Sequence, residues 1–328
     1  MTGPPITGPM TPPKDPTTWL NKRERGTVLG IRAAFWFATL LGRTVAKPLV
    51  ALVALWYRLF DRRAVRSSRE WLTRVHGQRP GFWAIYRHLR TFAQVTLDKV
   101  FLVTGRTRSL VFTRTGHELL AQQAATGRGA VLLGAHLGSY EAMRAGGADD
   151  TLSIRILGYF QNARMINSLL AELNPKQAAQ VIHVGEDHVG VMARVQDCLD
   201  HGQFVATLGD RTGLDQRSVE ATFFGEAASF AGGPLLLASI LHCPVFLVFG
   251  LYRAPNRYEL HCERFADRIE LPRKDREGAL RVWVQRYAER LEHHARQAPD
   301  NWFNFFDFWA KRPANAGAAR ATEQAASS

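Results

Sequence analysis

Cysteine is scarce in this chain: there are three, Cys198, Cys243 and Cys262. An odd, widely spaced set offers no disulfide framework and no Cys-x-x-Cys metal knuckle, and it points to a reducing compartment. The histidines His183, His188, His201, His242 and the pair His293-His294 lack a metal-ligand spacing as well, so no metal is expected. A secretory signal is missing too. Prolines and Asp15 stand where a basic segment and an apolar run would have to be. Residues 1–16 and the Ala-, Ser- and Gly-rich residues 312–328 are poor in the large apolar groups that offset chain entropy, so both are expected to be disordered tails.

Long unbroken apolar runs are also lacking. The segment Ile31 to Phe60 reads as helical, but Arg43 and Lys47 cut it into pieces well short of the roughly 20 residues needed to cross a bilayer. Lys47-Pro48 is the expected kink. Ala227 to Tyr252 carries no formal charge, yet Pro234, His242 and Pro244 interrupt it. It reads as a short buried helix, Pro234 to Leu241, feeding a buried strand, Val245 to Leu251.

Acidic residues are few at the start of the chain. Residues 1–100 hold 17 Lys+Arg against 5 Asp+Glu, whereas residues 101–328 hold 25 against 24, so the first third carries almost all of the net charge of +13. Because that basic region is also the most apolar, it suits an anionic membrane surface, with arginines reaching phosphate and Trp36, Trp56 and Tyr57 at headgroup depth; a single tilted span with snorkelling cations is the alternative. A nucleic-acid face would be basic and polar, so nucleic acid is not expected as a partner.

From Gly129 onward, apolar strand candidates (Ala130–Leu133, Ser153–Leu157, Gln180–Val184, Phe204–Leu208, Val219–Phe223, Val245–Leu251, Tyr258–Phe265) are interspersed with helix candidates (Gly138–Ala145, Ala163–Leu173, His188–Asp200, Pro234–Leu241, Asp275–Gln297). This pattern predicts an α/β domain with a largely parallel central sheet flanked by helices. The expected organisation is a tail at 1–16, a basic apolar membrane-associating helical region at 17–104, the α/β domain at 105–311 and a tail at 312–328. Ligands of such sheets collect at the carboxyl ends of the strands.

Two polar clusters stand at such ends. In Gly134-Ala135-His136-Leu137-Gly138-Ser139-Tyr140-Glu141, a strand runs through a small-residue turn into a helix. In one continuous helix His136 and Glu141 would point apart. With the imidazole in the turn and the carboxylate in the first helical turn they are expected to meet, Glu141 fixing the tautomer and leaving Nε2 as a base. Backbone amides near Gly138 are expected to receive an oxyanion. In Gly209-Asp210-Arg211-Thr212-Gly213, Arg211 would neutralise a phosphate or a pantetheine linker, and Asp210 would hold Arg211 or an acceptor. The dense aromatic stretch Trp302 to Trp309 reads first as packing.

In order along the chain, the apolar N-terminal segment, Gly127-Arg128-Gly129-Ala130-Val131-Leu132-Leu133, His136 with Glu141, Gly209-Asp210-Arg211, Phe223-Phe224-Gly225, Gly233-Pro234, Cys243-Pro244-Val245 and Pro299 to Trp302 form a series. The series resembles the bacterial lipid A biosynthesis (late) acyltransferases and, more distantly, the glycerolipid acyltransferases. The resemblance implies transfer of a fatty acyl chain from an acyl carrier protein or CoA thioester to a lipid or glycolipid hydroxyl, at the cytoplasmic face of the inner membrane. It implies His136 as base, Glu141 as its partner, Asp210 and Arg211 as substrate-site residues, and no bound cofactor. Where the lipid A enzymes have a Tyr-Arg-Pro element, this chain reads Tyr159-Phe160-Gln161, and Arg164 is the nearest candidate cation. The ending from Trp302 to Trp309 resembles a sub-branch associated with aryl polyene (xanthomonadin-like) clusters, so the acceptor stays open between lipid A and another lipid. Two other functions fit the same residues: a thioesterase using the same site, which would release free fatty acid without an acceptor, and a non-catalytic lipid or carrier-protein docking module, which would tolerate loss of His136.

Overall fold

Runs of β-branched and aromatic residues such as Val245-Phe246-Leu247-Val248-Phe249 are buried on both faces, as strands at the centre of a covered sheet must be. In the computed structural model, which describes residues 28–147, 152–158, 174, 180–184, 187–211 and 218–309 (backbone alone for 28–39 and 41), these runs build the core. The strands are β1 (Val111–Thr115), β2 (Val131–Gly134), β3 (Ile154–Gly158), β4 (Val181–His183), β5 (Phe204–Leu208), β6 (Ser218–Phe223), β7 (Glu226–Ala231), β8 (Val245–Arg253) and β9 (Arg257–Ala266). Seven of them form one sheet in the order β1-β9-β8-β2-β5-β3-β4. The pairing is parallel except between β8 and β9, which gives the mostly parallel α/β sheet expected from the sequence. The segment from Ser218 to Phe223 lies outside that sheet, in an antiparallel hairpin with β7.

Among the described residues three helices precede the sheet: α1 (Val28–Phe60), α2 (Arg62–His76) and α3 (Phe82–Val103). Asp61 caps α2 by accepting from the Arg63 and Ala64 amides, and Gly77 ends it at φ 68°. Among the described residues five helices follow: α4 (Glu118–Ala125), α5 (Tyr140–Gly147), α6 (His188–Asp200), α7 (Gly233–Leu241) and α8 (Arg276–Gln297). Strand alternation sends Val131 and Leu133 into the larger core, with Val284, Tyr287, Trp302, Phe305 and Phe308, and Leu132 into a smaller one with Leu120, Phe246 and Val248. The expected helix Ala163–Leu173, Arg164 within it and both expected tails fall outside the described residues.

Two expectations for the first helix are corrected. It runs on through Lys47-Pro48, and its break is at Gly42 (φ 80°, ψ 167°), a left-handed conformation that suits glycine. Arg43 does not reach toward lipid. It is buried, its Nε and Nη2 donating to Asp98 of α3 at 2.8 and 3.0 Å. The outward side of α1 is nonetheless apolar: Val45, Leu49, Leu52, Val53, Trp56, Leu59 and Phe60 are exposed, as are Phe82 and Trp83 of α3. Among the described residues no helix is long and apolar enough to cross a membrane.

Candidate active site

Strands β2 and β5 are parallel neighbours in a register that sets Gly134 opposite Leu208. Two residues beyond each of these positions come His136 and Asp210, so equal overshoot past the sheet edge brings the two side chains together. The His136 ring donates from Nδ1 to Asp210 Oδ1 at 2.9 Å, and the His136 backbone N–H donates to Oδ2 at 3.0 Å. A fully buried carboxylate thus grips both the ring and the main chain of a histidine whose side chain stays 29% exposed. An ionised carboxylate can only accept, so Nδ1 carries the proton and the Nε2 lone pair is free. Among the described residues Nε2 has no hydrogen-bond partner.

The expected contact between His136 and Glu141 is therefore corrected. Glu141 turns to α3, where Lys99 Nζ lies 3.0 Å from its Oε1, and it accepts from the Ser139 hydroxyl at 3.1 Å. Once the helix begins at Tyr140, its first turn carries the Glu141 side chain toward α3 and away from the sheet edge, while the β5 end supplies the carboxylate that meets the ring. The expected oxyanion amides are corrected as well. Gly138 N–H donates to the Asn301 carbonyl and Ser139 N–H to the Gly250 carbonyl, each at 2.8 Å. Gly138 itself is required by geometry, since it sits at φ 75° and a Cβ there would lie 2.0 Å from the Gly250 oxygen.

Arg211 turns to the C-terminal segment. Its Nε donates to Asn304 Oδ1 at 2.6 Å and its Nη2 to the Phe303 carbonyl at 3.0 Å, with the guanidinium 5.5 Å from the Phe306 ring centre. Asn304 in turn donates from Nδ2 to Asp210 Oδ2 at 2.9 Å. The segment is laced to the histidine turn, because Phe303 N–H donates to the His136 carbonyl at 2.8 Å. Its position is fixed further by His88, fully buried, whose Nε2 bonds the Trp302 carbonyl and whose Nδ1 bonds the Ser68 hydroxyl, each at 2.7 Å.

Sequence reasoning missed Lys99, Ser139 and Asn304. The available signal for Asn304 was a pair of asparagines, Asn301 and Asn304, within an otherwise aromatic stretch; both are buried. A polar group held in a core demands partners.

The electrostatics suit a base. Burial lowers the pKa of His136, Arg211 and Lys99 add to that, and Asp210 opposes without reversing it. Burial works to raise the Asp210 pKa, but the imidazole, Arg211 and Asn304 outweigh it and hold the carboxyl below its usual range. Burial brings Arg211 down to about 10, which still leaves it cationic at neutral pH. A small apolar cavity of about 30 Å³ opens beside Tyr140, over Leu120, Leu132 and Val248, and does not include His136. No group of three or more His, Cys, Asp or Glu among the described residues is arranged to hold a metal.

Comparison with curated proteins finds no match. The family model for bacterial lipid A biosynthesis acyltransferases matches residues 16–311, which include α1 to α3, the seven sheet strands described above and the Asn304 segment. This chain belongs to the bacterial lipid A biosynthesis acyltransferase family, and it is an acyltransferase acting on lipid.

Proposed function

We propose that the chain is a membrane-associated O-acyltransferase that moves a fatty acyl group from an acyl carrier protein or CoA thioester to a lipid or glycolipid hydroxyl, with His136 as general base and Asp210 as the residue that orients it. The observation that carries this reading is the buried Asp210 carboxylate gripping Nδ1, which leaves the opposite ring nitrogen unprotonated and open. In the proposed step Nε2 takes the acceptor's hydroxyl proton as the oxygen attacks the thioester carbonyl. The C–S bond then breaks, and the imidazolium returns its proton to the departing thiolate. Asp210 stabilises the transient imidazolium. Arg211 and Lys99, cations close enough to His136 to lower its pKa, offset the negative charge that develops on the carbonyl oxygen. Glu141 serves by holding Lys99. The activated acyl group arrives as a thioester, so the step draws on no bound cofactor.

The exposed apolar stripe of α1, with Phe82, Trp83 and the cationic first third of the chain, supports residence on an anionic membrane surface at the cytoplasmic face of the inner membrane. The same positive charge suits an acidic acyl carrier protein. The resemblance of the Trp302–Trp309 ending to an aryl polyene-associated sub-branch keeps the acceptor open between lipid A and another lipid.

The test incubates purified protein with a panel of acyl carrier thioesters and native membrane lipids and searches for new esters by mass spectrometry. The wild-type chain is expected to form an ester, and His136→Ala to lose about 10²–10⁴-fold in turnover. Because the folded pKa of His136 lies below 6.5, activity should persist as pH falls through 6.5 and disappear further down, once the ring protonates. Free fatty acid in the absence of any acceptor would replace this reading with a thioesterase, and undiminished turnover by His136→Ala would remove the base.

A further inference from the structure

Asp210 and Arg211 are adjacent in sequence and opposite in charge, and both face the same C-terminal segment, yet no ion pair joins them. Between them stands Asn304. Its carboxamide has one arrangement that satisfies both neighbours: the NH₂ donates to Asp210 Oδ2 at 2.9 Å while the C=O accepts from Arg211 Nε at 2.6 Å. We propose that Asn304 is a positioning residue that keeps Arg211 off Asp210, so that the carboxylate serves His136 and the guanidinium keeps its remaining N–H groups for substrate.

The inference rests on His136 as the site's base and deepens that reading. A carboxylate answered by a guanidinium at contact distance spends its charge there. It would then stabilise an imidazolium poorly, since charge-assisted bonds in a dry site are the strong ones. A neutral amide of the right length anchors the cation and passes a hydrogen bond, without charge, to the carboxylate. The Arg211 side chain is held away by Nε and one Nη2 hydrogen, its second anchor being the Phe303 carbonyl at 3.0 Å. That leaves the Nη1 group and one Nη2 hydrogen of a planar fork that binds anionic oxygens well.

Asn304 does not depend on Asp210 for its own place. It is buried, with 3% of its surface exposed, and its segment is fixed from three other directions. Phe303 bonds the His136 carbonyl, Trp302 bonds His88, and Asn301 exchanges two hydrogen bonds with the Tyr252 backbone at 2.6 and 3.1 Å. The segment thus presents Asn304 as a fixed spacer to which the two charged groups adapt.

The experiment titrates His136 by NMR in histidine-labelled full-length protein, its resonance assigned by its loss in His136→Ala. It compares Asn304→Ala, Asn304→Asp and the double variant Asn304→Ala/Arg211→Gln. In Asn304→Ala, Arg211 is expected to turn onto Asp210, dropping the His136 pKa by about one unit and kcat about tenfold. In the double variant the His136 pKa is expected to return to the wild-type value or above, which a merely structural role would not produce. Asn304→Asp still anchors Arg211, so its His136 pKa is expected at or above wild type, and this variant decides the matter if Asn304→Ala does not fold. An unshifted pKa in Asn304→Ala, a double variant that stays low, or a fall in Asn304→Asp overturns the proposal. The titration reads the imidazole and not turnover, so an Asn304 without influence and a His136 without a catalytic role are separate results.

Discussion

Two buried aspartates each have an arginine within reach, and the fold uses them in opposite ways. Asp98 is closed. Arg43 donates to both of its oxygens, Tyr258 adds a hydroxyl at 2.9 Å and Gln94 an amide at 2.8 Å, while Arg43 Nη2 also reaches the Pro255 carbonyl at 3.1 Å. This ties α1, α3 and β9 together and leaves no acceptor on offer. Asp210 is kept from its arginine by Asn304, and its strongest acceptor position goes to an imidazole that touches solvent. A buried charge that is fully answered acts as a joint. One that is deliberately under-answered is available for chemistry.

That contrast can be broken at either end. Asp210→Asn is expected to reduce turnover by about 10⁴-fold with little change in melting temperature, because it frees the imidazole to take the wrong tautomer. A large loss of stability with activity per folded molecule intact would make Asp210 a joint like Asp98. Asp98→Asn should do the reverse, costing about 3–5 kcal/mol in denaturant unfolding by stranding Arg43, with turnover of the folded fraction kept.

His88 sharpens the comparison from a neutral side. Burial lowers its pKa to about 4, outweighing the favourable Trp302 carbonyl. The folded pKa lies below the unfolded value near 6.5, so the unfolded chain binds the extra proton. Stability is fully present above pH 6.5 and is lost progressively down to pH 4, by about 3 kcal/mol. Unfolding curves across that window should show the loss, and His88→Gln should show less of it. The smallest effect is expected at Glu141, where Glu141→Gln should cost less than about tenfold in kcat because its carboxylate answers Lys99 and not the ring. Equal losses for Glu141→Gln and Asp210→Asn would return Glu141 to the role that its spacing from His136 suggests.

The strands were legible because central strands buried on both faces write continuous apolar runs, as Ala130–Leu133 and Val245–Leu251 do. β1 was not, since Val111–Thr115 lies at the sheet edge with most of its side chains exposed and no apolar run to mark it. The break in α1 was misplaced because proline is the louder signal. Pro48 is exposed and tolerated in the helix, while Gly42 takes the conformation that ends regular φ/ψ. His136 was legible from its place after a strand. Its partner was not, because a spacing of five residues is visible along a sequence and a separation of 74 is visible only through strand register. Asn304 was hidden for a different reason: its aromatic neighbours read as packing, and most of them do pack.

The lacing of Phe303 to the backbone of His136 bears on the order in which the polypeptide is made. Helices α1 to α3 and the strand ends that carry His136 and Asp210 leave the ribosome well before residues 301–304. In a nascent chain Asp210 and Arg211 therefore exist for a time without the amide that separates them. The site becomes complete only once residues 301–304 have been made, and loss of the chain from Asn301 onward would leave its centre unassembled.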